Sequence, residues 1–247
     1  MTPEPHQNRR AILAQALGLL ATGSLLGSCT TSRRSPSAAL PGPVWPHENV
    51  TESPAPVADS SRARPTLPTK ARFSVHARNE WTRAQPNVPD TNPMVRVEHI
   101  TVHHDGMPPT VIRTQQEAAE RLEMIRVSHV EHRGWADIGY HLIVDPQGRV
   151  WLGRPIHLQG AHVRDHNPRN LGVLVMGNFE IERPTPQATR TLDALLAHQS
   201  RTHGVPLNRI HTHREWASTA CPGRSLQAHM DATRSSSGNL RNMLVRV

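Results

Sequence analysis

The chain has almost no cysteine: two in 247 residues, Cys29 near the N-terminus and Cys221 far downstream. Any separate use of Cys29 therefore leaves Cys221 without an intramolecular disulfide partner. Tyrosine is scarcer still, with Tyr140 alone. No internal repeat is visible, which excludes solenoid and propeller architectures. No nucleic-acid-binding motif is visible either, so the net charge of +8 is the sole argument for such a partner. The one long apolar run, Ala11 to Leu26, is too short and too poorly flanked for a comfortable spanning helix.

What is present points to one good-sized domain with extensions. A hydrophobic fraction of 36% goes with 22 prolines, too many to be spread through packed helices and strands. The basic excess, joined by 17 histidines that charge as the pH falls, suits an acidic polymer or an anionic surface. Residues 9 to 29, "RRAILAQALGLLATGSLLGSC", place an arginine pair before the apolar run and small residues after it, the layout of an export signal. The run ends in "LLGSC", which resembles the lipobox of bacterial lipoproteins and implies that Cys29 is acylated. "NRRAIL" also resembles a twin-arginine export motif, and the choice between the two export routes stays open. A lipidated Cys29 cannot pair, so Cys221 needs another job.

These signals divide the chain into a lipoprotein-type signal peptide (1–28), a Pro/Ser/Arg-rich tether (29–72), a folded domain (73–234) and a tail (235–247). The tether composition cannot bury enough apolar surface to offset its ordering entropy, and it reads as stiff and extended. Within the domain "VEHITVH", Val97 to His103, reads as a strand. Thr114 with Glu117 forms a capping-box pattern, and Ala118, Leu122 and Ile125 follow at helical spacing, so a helix over about 115–130 is expected. "YHLIVDPQGRVWLG" reads as a hairpin around Asp145-Pro146-Gln147-Gly148. The apolar run Leu171 to Gly177 reads as a central strand covered on both faces. A second helix opens at Thr185-Pro186 and stops at Gly204. A short strand at Arg209 to His211 and a helix after Gly223 complete the pattern. Strands and helices interleave around one sheet, which predicts an α/β fold: a single domain with a central mixed β-sheet flanked by helices.

Soft, borderline cations such as zinc take His nitrogen and Cys thiolate, and a catalytic zinc keeps three protein ligands. His213 and Cys221 lie eight positions apart, and "TVHHDG" offers His103 or His104 as a third group at a strand end. Taken alone, the pair reads more readily as a packed cysteine and a surface histidine.

The surrounding words change that reading. "ITVHHDG", "HRGWADIGYHLIVDPQGRVWLGRP", "QGAH", "NLGVLVMGNFE" and "HTHREWASTACPG" occur in this order and resemble the type 2 N-acetylmuramoyl-L-alanine amidases and the peptidoglycan recognition proteins that share their fold. "ARNEW", residues 77–81, resembles the entry segment of the recognition-protein branch. The resemblance covers about residues 73–230. It implies one Zn2+ held by His103, His213 and Cys221, with catalytic Tyr140 and with Thr219 facing the scissile carbonyl. It also implies that His104, Trp135, His162 and Asn167 are candidates for substrate binding. Trp151 is, like Trp135, an aromatic candidate for a groove wall, but its place on the hairpin strand reads rather as core packing. Zinc lowers the pKa of bound water to about 7 and polarises a carbonyl; Thr219 or Tyr140 would help hold the developing oxyanion.

The implied substrate is peptidoglycan, or the muropeptides derived from it, cut between N-acetylmuramic acid and L-alanine. The implied protein is an exported, membrane-anchored monomeric lipoprotein facing the cell wall, in the periplasm or at the cell surface, with lipid on Cys29 and no nucleic-acid partner. Two rivals share the fold. A non-catalytic peptidoglycan receptor is disfavoured because the ligand and tyrosine set is complete, and a cytoplasmic recycling amidase is disfavoured by the signal segment.

Overall fold

The computed structural model describes residues 73–245. The signal, the tether and Cys29 lie outside the described residues. Six strands form one sheet: β1 (Val75–His76), β2 (His99–His104), β3 (Leu142–Val144), β4 (Val150–Leu152), β5 (Asn170–Val175) and β6 (Ile210–Thr212). Their order is β1-β4-β3-β5-β2-β6. All neighbours run parallel except the β3–β4 hairpin, so the sheet is mixed as expected. Among the described residues four α-helices flank it: α1 (Gln115–Val127), α2 (Pro186–His203), α3 (Arg224–Arg234) and α4 (Asn239–Val245).

The helix boundaries follow from local chemistry. Thr114 Oγ1 accepts the Glu117 N–H at 3.1 Å while the Glu117 carboxylate accepts the Thr114 N–H at 2.8 Å, which closes the capping box that starts α1. Past Val127 the chain continues as a single π-helical stretch, Ser128–His132, that carries the buried His129. Thr185 caps α2 through the Ala188 N–H with Pro186 in its first turn, and Gly204 ends it at φ 67°. In the β3–β4 hairpin the Asp145 carboxylate accepts the backbone N–H groups of Gln147 and Arg149 and the Trp151 indole N–H, so one side chain sets both the turn and its exit.

Because side chains alternate along a strand, each face of the sheet has its own apolar cluster. Ile100, Val102, Leu171, Val173 and Val175 pack with Leu192, Leu195 and Leu196 of α2 and with Leu226 and Met230 of α3. On the other face Ile143, Trp151, Leu174 and Met176 pack with Leu122 and Ile125 of α1. β5 is buried along its whole length, as a central strand covered on both faces must be.

The stretch from residue 235 differs from the expected tail. It forms α4, whose Leu240 is fully buried in the α2–α3 cluster, with Met243 and Leu244 packed alongside. Thr233 Oγ1 accepts the Leu240 N–H at 3.0 Å and so docks the helix. A few apolar side chains among Ser, Gly, Asn and Arg do not announce a helix, and only the groove between α2 and α3 gives Leu240, Met243 and Leu244 something to bury against. Leu240→Ala is expected to lower stability by about 2–5 kcal/mol in urea unfolding. The exposed Val245→Ala on the same helix should change it by less than about 0.5 kcal/mol, and equal silence of both variants would return the segment to a tail.

Candidate metal centre

β2 delivers two histidines to opposite faces of the sheet. Thr101 and His103 point to the α1 side, whereas Ile100, Val102 and His104 point to the α2 side. His103 is fully buried there. His213 opens a short 3-10 turn directly after β6, and Cys221 lies in the loop before α3. One ligand atom each from His103, His213 and Cys221 lie within 4.8 Å of one another. His103 Nδ1 is 3.6 Å from Cys221 Sγ. A tetrahedral zinc with Zn–N of about 2.0–2.1 Å and Zn–S of about 2.3 Å needs an N···S edge of about 3.6 Å. The donor set and its spacing therefore fit zinc.

Several groups hold this arrangement. Asp105, just past β2, receives both Nε and an NH2 nitrogen of Arg121 from α1 at 2.8 and 2.7 Å, plus the Gly177 N–H at 3.2 Å. This buried, bidentate pair ties the end of β2 to α1 and β5. The His213 turn is fixed by Glu215, which accepts the Thr212 N–H at 2.8 Å and pairs with Arg234 at 2.6 Å. Arg214 donates to the Ala220 carbonyl at 2.6 Å and so closes the loop between His213 and Cys221. Trp216 donates to Thr101 Oγ1 at 3.0 Å and pins that loop to β2. Gly223 sits at φ 87°, and a Cβ there would lie 2.3 Å from the Phe179 carbonyl carbon, so only glycine lets the cysteine loop approach this closely.

Tyr140 lies beside the cluster with its ring 5.2 Å from that of His103, and burial pushes its phenol well above the usual range. It stays protonated at neutral pH and can donate a hydrogen bond. Thr219 Oγ1 accepts the Cys221 N–H at 3.2 Å, which leaves its own O–H free to donate. Burial raises the Cys221 thiol to about 12 and lowers His213 to about 4, with the neighbouring His104 adding to the latter. Burial also drives His103 well below the ordinary imidazole range. Without a cation, then, the cluster is neutral, and a divalent ion is the group that makes the thiolate favourable.

The expected substrate-binding residues divide. Trp135 is half-buried, with its ring 4.6 Å from His129, which in turn is 5.6 Å from Tyr140, so it extends the aromatic wall away from the cluster. His104, His162 and Asn167 are buried with polar atoms committed to protein partners. His104 Nδ1 accepts the Phe179 N–H at 3.2 Å on the far face of the sheet. Asn167 Oδ1 accepts the N–H groups of His162 and Val163 at 2.7 and 2.8 Å. His162 uses both ring nitrogens, at 3.0 Å each, on His103 and on the Asn170 carbonyl. These contacts tie all three side chains into the framework around the site. The supports Arg121, Arg214 and Trp216 escaped sequence reading, although arginine and tryptophan inside "HTHREWASTACPG" were a usable signal. Trp151 is 1% exposed and packs in the core as expected.

Comparison with known proteins places the chain in a family. The family described as N-acetylmuramoyl-L-alanine amidase matches residues 93–224. An N-acetylmuramoyl-L-alanine amidase of Sus scrofa is 30% identical over 174 residues, covering 63% of this chain and 29% of that protein. Peptidoglycan-recognition protein SC2 of Drosophila melanogaster is 28% identical over 131 residues, 53% of this chain and 70% of that one. The chain thus spans under a third of the length of the first amidase relatives. Among solved structures, Drosophila PGRP-LB superposes with a TM-score of 0.59 at 24% identity, covering 65% of this chain and 94% of that one. Peptidoglycan recognition protein-LE, solved in complex with tracheal cytotoxin, a monomeric diaminopimelic acid-type peptidoglycan, gives 0.57 at 25% identity, covering 63% and 92%.

Burial also lowers two histidines outside the cluster, His141 to about 4 and His129 to about 3. The unfolded chain takes up these protons near 6.5 and the folded chain only near 4 or below, so the folded state binds fewer protons in between. Their contribution to stability is complete above pH 6.5 and is lost as the pH falls through that window. In chelator, unfolding free energy should drop by about 1.4 kcal/mol per pH unit for each such group. His141→Gln, which can accept from the Gly172 N–H and donate to the Leu158 carbonyl as His141 does, should flatten the slope. A slope unchanged by the substitution would refute the assignment.

Proposed function

Because the chain belongs to the N-acetylmuramoyl-L-alanine amidase family, we propose that it is a zinc-dependent amidase. It hydrolyses the amide between N-acetylmuramic acid and L-alanine in peptidoglycan. The observation that carries this reading is the convergence of His103, His213 and Cys221 within 4.8 Å, beside Tyr140. A receptor that only binds peptidoglycan needs no such donor set.

The three residues would hold zinc, which when bound supplies water activation at neutral pH and Lewis-acid polarisation. The chain's own groups do the rest. Tyr140, protonated across the neutral range, and Thr219, with its O–H free, are neutral donors for charge developing on the scissile carbonyl oxygen. Trp135 offers an apolar wall on the Tyr140 side against which a sugar or peptide segment can lie. The Asp105–Arg121 pair and the Arg214 contact fix the loops, so little reorganisation accompanies the reaction.

We also propose that the protein is exported and tethered to a membrane through acylated Cys29, on the strength of "LLGSC" and the tether that follows. A domain on such a tether reaches cell-wall polymer away from the lipid surface.

Incubation of the zinc-loaded chain with muropeptides should release stem peptide detectable by mass spectrometry, and exhaustive chelation should abolish the release. Cys221→Ser should bind zinc far more weakly. Tyr140→Phe should retain zinc while losing about 10²-fold or more in kcat. Release that survives complete zinc removal refutes the metal mechanism, and binding without cleavage by the loaded protein establishes a receptor instead. For the anchor, Cys29→Ala should eliminate labelling by radioactive palmitate in cells, and undiminished labelling overturns it.

A further inference from the structure

We infer that His162 is a positioning residue that fixes the tautomer of His103 for metal binding, through a one-way hydrogen-bond chain ending on the backbone carbonyl of Asn170. The inference rests on the reading of His103, His213 and Cys221 as a metal centre. It concerns a residue outside the set of three proposed ligands.

The direction of the chain follows from its terminus. A carbonyl oxygen can only accept, so His162 Nε2, 3.0 Å from the Asn170 oxygen, carries the proton. A neutral imidazole has a single N–H, which leaves His162 Nδ1 as a bare lone pair. That lone pair lies 3.0 Å from His103 Nε2, which must therefore donate. His103 in turn keeps its Nδ1 lone pair free, and this atom is the one 3.6 Å from Cys221 Sγ in the donor cluster. Flipping His162 would face a lone pair against the Asn170 carbonyl, and flipping His103 alone would leave two lone pairs facing each other. Both rings are deeply buried, His103 at 0% and His162 at 6% exposure, with no carboxylate among their hydrogen-bond partners to stabilise a charged form.

The surroundings are built to hold His162 in this one orientation. Its ring meets that of His103 edge-on, 5.0 Å between centroids at 83°. It lies over Gly172 of β5, where a Cβ would come within 2.6 Å of the imidazole, so the strand leaves a gap of one side chain for it. The Gly172 N–H is itself held by His141 Nδ1 at 2.9 Å. On the other side Asn167 clamps the His162 and Val163 N–H groups. Partners of this kind orient a ligating imidazole and raise its basicity, and their loss typically weakens metal affinity 10–100-fold.

The test uses the full 247-residue chain with zinc alone as ligand. In the zinc-free protein, long-range 1H–15N spectra of the histidine rings should show His103 and His162 as Nε2–H tautomers. Zinc affinity, read by competition with a chromophoric chelator, should fall about 10–100-fold in His162→Leu. It should stay within about threefold of wild type in His162→Gln, whose amide oxygen can accept from His103 while its NH2 donates to Asn170. A proton on His103 Nδ1, a leucine variant with undiminished affinity, or a glutamine variant as weak as leucine would each overturn the proposal. If His162→Leu does not fold, the wild-type spectrum and the glutamine variant still decide. None of these readouts needs amide cleavage: a chain that binds zinc but cleaves nothing removes the amidase reading and leaves this one to be judged on the spectra and affinities.

Discussion

Four ionisable side chains, His103, His162, His213 and Cys221, crowd into one largely buried region of this molecule with no carboxylate among the proposed ligands. Charging any of the imidazoles there carries a desolvation penalty, and placing two positive rings side by side adds repulsion. The cluster can exist only if the histidines are neutral, and a neutral imidazole has one donor and one acceptor to place. Much of the site is arranged around that constraint. The Asn170 carbonyl closes one end of the sequence of hydrogen bonds, and the thiol of Cys221 stands at the other.

The sheet supplies the rigidity this requires. β2 lies between β5 and β6, parallel to both, so His103 leaves a strand held on each side, and His213 follows the next strand over. The loops that carry His213 and Cys221 are irregular, yet they are fastened at several points: Arg214 to the Ala220 carbonyl, Trp216 to Thr101, and Glu215 to Arg234. Irregular backbone near chemistry is normal, and its placement depends on such anchors. Meanwhile two apolar clusters, one on each face, stabilise the domain without calling on the donor groups at all.

What could be read in the sequence was what local chemistry decides. Thr114 with Glu117, Thr185-Pro186 with Gly204, and the Asp145–Gly148 turn each act within a few residues, and each stands where its pattern placed it. The ordered words also gave His103, His213 and Cys221, which the fold brings together. The histidine doublet is open to a slip of one position, and strand alternation separates the two: His103 stands in the donor cluster, whereas His104 meets Phe179 on the other face of the sheet. Illegible were the roles set by contacts between distant segments. His162 and Asn167 sit in a loop whose composition looks like exposed surface, and only the fold shows their atoms spent on His103, Asn170 and the backbone. α4 was invisible for the same reason, since Leu240, Met243 and Leu244 have meaning only against the groove that receives them.

The distribution of glycine completes the argument. Gly223 lets the cysteine loop press against Phe179, and Gly172 leaves the space that the His162 ring fills. Neither glycine belongs to the donor cluster, yet Gly223 fixes where the Cys221 loop can stand, through a backbone approach, and Gly172 fixes where His162, the partner of His103, can stand, through an absent side chain. A Cβ at either position would meet backbone or a ring below 3.0 Å, so the neighbour would have to move. An error of a few tenths of an ångström is tolerable for an apolar contact, but metal–ligand bonds have a narrow range of length. The selectivity of the centre for its geometry therefore resides as much in two missing side chains and one backbone carbonyl as in the three residues that would hold the ion.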